Sequence, residues 1–295
     1  MQTDIQLIQL FCVICQIYNT KLAADAQRTS NNFLPKFTDE ECITVMLWGL
    51  ANEKFTCKAV HNFTKTFYSD YFPEMPKYKA FNHRIGFLAD AIKTLADVLL
   101  SELSTGSDCP THLLDSMPII MAQRSRSLRA KVAPELCDIG YCETKRMKFY
   151  GVKLHVFGQS RYKAMPLPRQ MQVQAASVHD IKASTEIFMD VHGLDVFADR
   201  AYASEPWKAV LAQNHVTLFT PIKRKPGQES IDSADRLLST AISKVRQPIE
   251  SFFNWLQEHT QIQNASKVRS SNGLLSFIFA RISLACLFLN HVLSL

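Results

Sequence analysis

Three acidic residues, Asp115, Asp199 and Glu250, have settings that suit chemistry with hard cations. Asp115 lies in the apolar run HLLDSMPII, Asp199 ends the apolar part of GLDVFADRAYAS, and Glu250 lies in the helical pattern KVRQPIESFFNWL. Burying a carboxylate is costly unless a positive charge or a metal ion compensates it. Since divalent cations such as Mg²⁺ prefer carboxylate oxygens, we predict that the three acids form a metal site.

Such a site would suit the cleavage and transfer of phosphodiesters. Two divalent ions roughly 3.5–4 Å apart activate an attacking oxygen and stabilise the leaving oxygen. We expect two Mg²⁺ ions, with Mn²⁺ as a substitute, because Mg²⁺ keeps several of its waters. In this interpretation Asp115 bridges both ions, Asp199 and Glu250 each anchor one, and no protein nucleophile is required.

The elements that must position these acids follow residue 109. The patterns predict strands at 113–121, 149–157, 171–176, 194–198 and 216–221, with helices starting at 180 and 204, one long helix at 233–259, and an apolar terminal helix. This order, β-β-β-α-β-α-β-α, is that of the ribonuclease H-like fold, a mixed sheet flanked by helices. Asp115 and Asp199 would lie on neighbouring strands, and Glu250 on the helix after the fifth strand.

The first 108 residues have helical periodicity throughout, which predicts an all-α N-terminal domain. Thr38 and Glu41 form a capping-box pattern at the start of one helix. Basic residues gather near another helix start, namely Lys77, Lys79, His83 and Arg84. They are compatible with a helix-turn-helix DNA-binding module or with a plain bundle whose basic side chains are solvated. We therefore expect a helical, DNA-end-binding domain at 1–108 and a catalytic domain at 109–295.

Positive charge is concentrated in one segment. The net charge is +6, but residues 121–163 hold ten Lys/Arg and three Asp/Glu, so 10 − 3 = +7. This favours a polyanionic partner such as DNA, although a solvated loop is the alternative. Candidate DNA contacts are Arg124, Arg126, Arg129, Lys131, Lys145, Arg146, Lys148, Lys153, Arg200, Lys223, Arg224, Lys225 and Arg246. Lys153 shares a strand face with His155, and this face either meets phosphate beside the acids or is an exposed polar face.

Cysteine usage and the apolar C-terminal stretch bear on location. Cys12 and Cys15 form a CxxC without the second ligand pair that a zinc site needs, so buried reduced thiols and a cytoplasmic setting are expected. No secretory signal pattern is recognised at residue 1. Residues 273–295 are apolar enough to resemble a membrane span. Arg281 near the middle of that stretch favours a buried terminal helix instead, because charge is costly in lipid.

Six motifs together resemble a known family over essentially the whole chain. They are LLDSMPI at Asp115, GYC at 140–142, FYGVKLH at 149–155, VHD at 178–180, FADRAYAS at Asp199 and RQPIESFF at Glu250. In these residues the chain resembles DDE-type insertion-sequence transposases, in particular the bacterial insertion-sequence family nine-eighty-two of the insertion-sequence-four-like (IS4-like) superfamily.

The resemblance implies a DNA transposase with a ribonuclease H-like catalytic domain. It would bind terminal inverted repeats, cut DNA with Mg²⁺ and water, and join the 3′-hydroxyl to target DNA. Homodimers or larger assemblies on paired ends, in the nucleoid region of the bacterial cytoplasm and away from membranes, are also implied.

The related enzymes carry a Y-x2-R-x3-E-x6-K signature around the last acid. Arg246 and Glu250 fit it, whereas Ser243 and Gln257 stand at the Tyr and Lys positions. These departures leave open a decayed or domesticated copy that binds DNA without cutting it. A Mg²⁺-dependent nuclease is a further alternative, because a fold alone does not fix function.

Overall fold

The computed structural model describes residues 2–26, 35–103, 109–142, 145–188, 191–224, 228 and 231–294. By contacts the chain forms two compact units, a helical unit of residues 1–103 and 256–295 and a sheet unit of residues 104–255. The division expected from the sequence placed 109–295 in one domain. In the structure residues 256–295 group with the N-terminal helices, because the last helix fills their core.

The helical unit begins with five helices from the first part of the chain. They are α1 Gln2–Ile17, α2 Asp39–Ala51, α3 Cys57–Phe67, α4 Tyr78–Phe87 and α5 Ala89–Leu103. The predicted capping box is confirmed, since Thr38 and Glu41 each accept the other's backbone N–H. All eight cysteines are free, and Cys12 is exposed rather than buried because it continues the exposed face of α1 that carries Ile5 and Ile8.

The last helix, α10 Ser271–Leu289, completes this unit by packing mainly on α5 and also on α2 and α4. Within the described residues it is the one helix long and apolar enough to cross a membrane, yet it is 72% buried inside the protein. Arg281, in its middle, is 1% exposed and donates to the carbonyls of Phe55, Thr260 and Phe277. The predicted buried helix therefore matches the position of α10 in the core.

The sheet unit follows the predicted element order with one additional strand. Its elements are β1 Thr111–Gln123, β2 Asp138–Cys142, β3 Met147–Arg161, β4 Ala164–Ala175, α6 Asp180–Ile187, β5 Asp195–Ala198, α7 Glu205–Gln213, β6 Thr217–Phe219, α8 Ser233–Arg246 and α9 Pro248–Thr260, whose last turn is grouped with the helical unit. The strands lie in the order β2-β3-β1-β5-β6, with β4 also paired to β3. The predicted ribonuclease H-like mixed fold is confirmed.

Strand directions place the sequence's first strand at the centre of the sheet. β1 is antiparallel to β3 and parallel to β5, which is parallel to β6. β2 and β4 pair with successive halves of β3 along the edge opposite β1. The short strand β2 was not predicted, because its five residues, DIGYC, carry no extended apolar pattern.

Two motif glycines permit close strand packing. A Cβ at Gly151 would lie 2.1 Å from the carbonyl oxygen of Ile119 on β1, and one at Gly140 would lie 2.6 Å from the carbonyl oxygen of Ala176. Because such contacts are with backbone, they cannot be relieved by moving a side chain. GYC and FYGVKLH therefore contain glycines required for pairing around β3.

The sheet has two distinct faces near the acids. Leu114 and Phe157 are paired across β1 and β3 and pack with Ile187 and Phe188 in one core cluster. Side chains alternate along a strand, so Asp115 points to the opposite face. That second face is where α8 packs against β5.

Candidate active site

The first two acids come together where the ladder between two parallel strands ends. The ladder between β1 and β5 ends at the pair Leu114 and Ala198, and the next residues are Asp115 and Asp199. Neighbouring strands are about 4.8 Å apart, so the two acidic positions lie side by side. Their proximity is also electrostatic, because the negative charge of Asp199 raises the pKa of Asp115.

An arginine joins Asp115 to the third acid. Nη1 of Arg246 contacts the Asp115 carboxylate, and Nη2 lies 3.0 Å from Oε1 of Glu250. Arg246 ends α8 and Glu250 lies in the first turn of α9, four residues later. Arg246 therefore joins Asp115 to Glu250, and the strand register places Asp199 beside Asp115.

The helix expected at 233–259 is divided in two at Gln247. Pro248 lacks the backbone N–H that would continue the helical hydrogen bonds, so α9 starts anew at that residue. Arg246 and Glu250 nevertheless keep their i,i+4 relation and form an ion pair.

Burial dominates the electrostatics of Asp115. Desolvation raises its pKa from 3.8 to about 7, while Arg246 and the Ser116 backbone N–H, 2.8 Å from Oδ1, lower it. The charges of Asp199 and Glu250 raise it further. An ionised Asp115 thus requires a positive partner, and here Arg246 supplies it.

The three carboxylates are suitable ligands for a divalent cation, but the guanidinium of Arg246 is bound to two of them. Among the described residues, no three His, Cys, Asp or Glu side chains are placed to hold a metal ion together. Three carboxylates are nevertheless the oxygen-rich set that Mg²⁺ prefers. Two of them are instead paired with the Arg246 guanidinium.

A buried hydrogen-bonded group lies behind the acids on the other face of the sheet. The hydroxyl of Tyr202 is 2.9 Å from Nδ1 of His155 and also forms a hydrogen bond with the Ser116 side chain. Sequence reasoning missed this group. The available signal was a serine within the apolar strand at Asp115 and a tyrosine three residues after Asp199.

Lys153 and His155 are not brought to the acids. They pair with Pro118 and Ser116 across β1, so they lie on the face opposite Asp115. The Lys153 ammonium lies 2.8 Å from the Asp180 carboxylate. His155 is fully buried, and burial lowers its pKa to about 4, so it is neutral at physiological pH. Neither side chain supports the predicted phosphate contact.

Most of the other predicted DNA contacts are exposed. Two basic segments, 124–131 and 145–148, flank the paired ends of β1 and β3, where Gln123 pairs with Phe149; we call them the ribbon tip. Its exposed basic residues are Arg124, Arg126, Arg129, Lys131, Lys145, Arg146 and Lys148. Arg200, Lys223 and Arg224 are exposed just after β5 and β6, and Lys225 lies outside the described residues.

The two positions that depart from the family signature have local structural roles. The Ser243 hydroxyl donates to the Ser239 carbonyl at 2.8 Å. The Gln257 side chain bonds to the side chain of Gln261 at 3.1 Å and accepts the backbone N–H of Gln263 at 2.9 Å. Gln257 thus stabilises the turn after α9.

A family model described as Transposase DDE domain matches residues 106–271, more than half of the 295-residue chain. The chain belongs to the DDE transposase family. Comparison with curated proteins and with solved structures gives no match. The matched segment of the transposase includes Asp115, Asp199 and Glu250 together with every strand of the sheet.

Proposed function

We propose that this transposase mobilises a bacterial insertion sequence of family nine-eighty-two, in the insertion-sequence-four-like superfamily. It would bind the terminal inverted repeats, cleave DNA with Mg²⁺ and join the ends to target DNA. The observation that supports the proposal is the placement of Asp199 beside Asp115 where the β1–β5 ladder ends, with Arg246 joining Asp115 to Glu250. A homodimer or larger assembly on paired ends, in the cytoplasm, belongs to the same proposal.

Each residue of the site has a role in this reaction. Asp115, Asp199 and Glu250 would hold the divalent ions, with Asp115 shared. When bound, the ions would supply an activated attacking oxygen and a stabilised leaving oxygen. Arg246, no longer needed as counter-ion by the two carboxylates, can donate its N–H groups to a DNA phosphate.

The ribbon tip gives this unit a second surface for the DNA backbone. β1 continues from Asp115 to Gln123, 123 − 115 = 8 residues. At about 3.3 Å per residue this is about 26 Å, the length of about eight base pairs at 3.4 Å each. A duplex with its scissile phosphate at the acids can therefore also reach the basic side chains of the tip.

The helical unit offers a candidate surface for reading the inverted repeats. On α4, Tyr78, Lys79, Asn82 and His83 are exposed. Arg84 points the other way and pairs with the Asp39 carboxylate, which fixes α4 on α2. Polar, solvent-facing side chains on a short helix are those that can contact base edges and phosphates, so we assign end recognition to α4.

The test is incubation of the purified protein with element-end DNA and Mg²⁺ or Mn²⁺, with nicked and joined products measured. Asp115→Ala, Asp199→Ala and Glu250→Ala should each abolish both products, while the Kd for element-end DNA stays unchanged. The matched control is Asp235→Ala, which removes a carboxylate of α8 that makes no contact with Arg246. This variant should cut normally. Mg²⁺-dependent cutting at the control's rate by any of the three variants would contradict the assignment.

A DNA-binding copy without cleavage is the second candidate, favoured by Ser243 and Gln257 at the signature positions. Specific binding of the element end by the native chain, with no nicks in either Mg²⁺ or Mn²⁺, would identify it.

A further inference from the structure

One hydroxyl group connects the two segments that carry Asp115 and Asp199. Asp199 is the last residue before a single turn, Arg200–Tyr202, which ends with Tyr202 donating its backbone N–H to the Asp199 carbonyl at 3.1 Å. Tyr202 is 1% exposed. Its hydroxyl reaches both Ser116, which directly follows Asp115, and Nδ1 of His155 on β3.

The hydrogen bonds allow the Tyr202 hydroxyl to act as donor and acceptor at once. His155 is fully buried and uncharged, so a single ring nitrogen of the pair carries a proton. The Tyr202 hydroxyl can therefore donate to Nδ1 while its oxygen accepts from the Ser116 hydroxyl. This series fixes the tyrosine ring against two strands, because the Tyr202 hydroxyl would otherwise be buried without a partner.

We propose that Tyr202 is a positioning residue that holds Asp199 beside Asp115. The ladder between β1 and β5 stops one residue before both acids, so backbone pairing does not itself fix Asp199. Tyr202 supplies the missing constraint from the opposite face of the sheet, through Ser116. This inference rests on the proposed function, since the acids must share cations for their spacing to matter.

The chain provides a matched control in Tyr150. This tyrosine is also buried in the sheet, on β3, and its hydroxyl donates a single hydrogen bond to the Val132 carbonyl at 3.0 Å. Tyr150→Phe and Tyr202→Phe thus each remove one hydroxyl from a buried tyrosine of the sheet unit. Only the second change unties the segments of the two acids.

The experiment measures cleavage, DNA binding and cation binding for the native protein and both variants. Tyr202→Phe should lower kcat about 10–100-fold, the range found when groups that orient metal ligands are removed. Mn²⁺ binding is followed by the rise in Tm that it causes, and the Mn²⁺ concentration for half of that rise should increase about tenfold in Tyr202→Phe. The KM and the Kd for element-end DNA should stay unchanged. Tyr150→Phe should change neither kcat nor the Mn²⁺ requirement.

Ser116→Ala provides a second variant, because it removes the other partner of the tyrosine while keeping the backbone N–H that bonds to Asp115. It should change the Mn²⁺ requirement in the same direction. If the native protein is active and Tyr202→Phe has the same kcat and Mn²⁺ requirement as Tyr150→Phe, the positioning role of Tyr202 is overturned. The proposed function is unaffected by that result. A native protein that neither cleaves element-end DNA nor gains Tm from Mn²⁺ would overturn the proposed function and this inference with it.

Discussion

At the scale of single residues, the contact of Arg246 with Asp115 was not expected from the sequence. Arg246 is separated from Asp115 by 131 positions, yet its guanidinium contacts that carboxylate and Glu250 together. A buried carboxylate without a positive partner is strongly disfavoured. Arg246 therefore stabilises the acids in the absence of cations, and divalent ions must compete with it.

The protonation of Asp115 leads to a prediction about pH. Its pKa is raised from 3.8 to about 7, so between these values the native state binds one proton more than the unfolded state. Native stability should therefore fall as pH rises through this interval. Asp115→Asn removes the effect. Between pH 5 and pH 8 the native protein should therefore lose about 3 kcal/mol of unfolding free energy relative to this variant.

Urea unfolding of both proteins at a series of pH values measures this difference. His155, whose pKa is lowered by burial, is present in both and cancels in the comparison. A difference independent of pH would show that Arg246 compensates the Asp115 charge fully.

Residue types predicted the acids but not their surroundings. Asp115, Asp199 and Glu250 could be proposed because carboxylates in apolar runs are conspicuous. The contacts of Arg246 with Asp115 and of Tyr202 with His155 could not, since they depend on which side chains the sheet and α8 bring together. The assignment of the three acids as catalytic remains a prediction.

At the scale of elements, strand length determines the shape of the sheet unit. β1 and β3 have 13 and 15 residues, whereas β5 has four. The five principal strands could be predicted from apolar runs, but the pairing that extends β1 and β3 beyond the acids could not. The break before Pro248 was readable from the proline itself and was missed in favour of one continuous helical pattern.

The extended pair of strands leads to a prediction about DNA affinity. Arg126→Gln, Arg129→Gln and Lys131→Gln combined should weaken binding of all duplexes, because we expect the ribbon tip to contact phosphates rather than bases. Each phosphate contact contributes about 0.9 to the slope of log K against log salt. The slope should therefore fall in magnitude by about 2–3, as measured by fluorescence anisotropy over a range of NaCl concentrations.

Two exposed lysines away from the tip serve as controls. Lys163 lies in the turn between β3 and β4, and Lys182 lies on α6. Lys163→Gln combined with Lys182→Gln should leave the slope nearly unchanged. An equal fall of the salt slope in both combined variants would mean that the tip contributes only through the net charge of the protein.

At the scale of the whole molecule, the core of the helical unit depends on Arg281. Its three backbone acceptors come from separate segments, at Phe55, Thr260 and Phe277. Arg281→Met should leave buried carbonyls without donors and lower the free energy of unfolding by at least about 2 kcal/mol. Lys267→Met, an exposed change in the same unit, should have little effect in the same urea titration. A stability equal to that of the control would mean that an apolar side chain can replace the arginine at no cost.

The position of α10 also has a consequence for the order in which the protein is made. α1 to α5 leave the ribosome first, but the helix that fills their core is encoded after the entire sheet unit. The apolar face of α5 therefore stays uncovered while the catalytic segment is synthesised, and closing that contact spans a long loop. A nascent or truncated chain that lacks α10 should consequently be a substrate for chaperones and proteases rather than a folded DNA-binding protein. Synthesis of the last helix would then decide when the helical unit can first engage DNA.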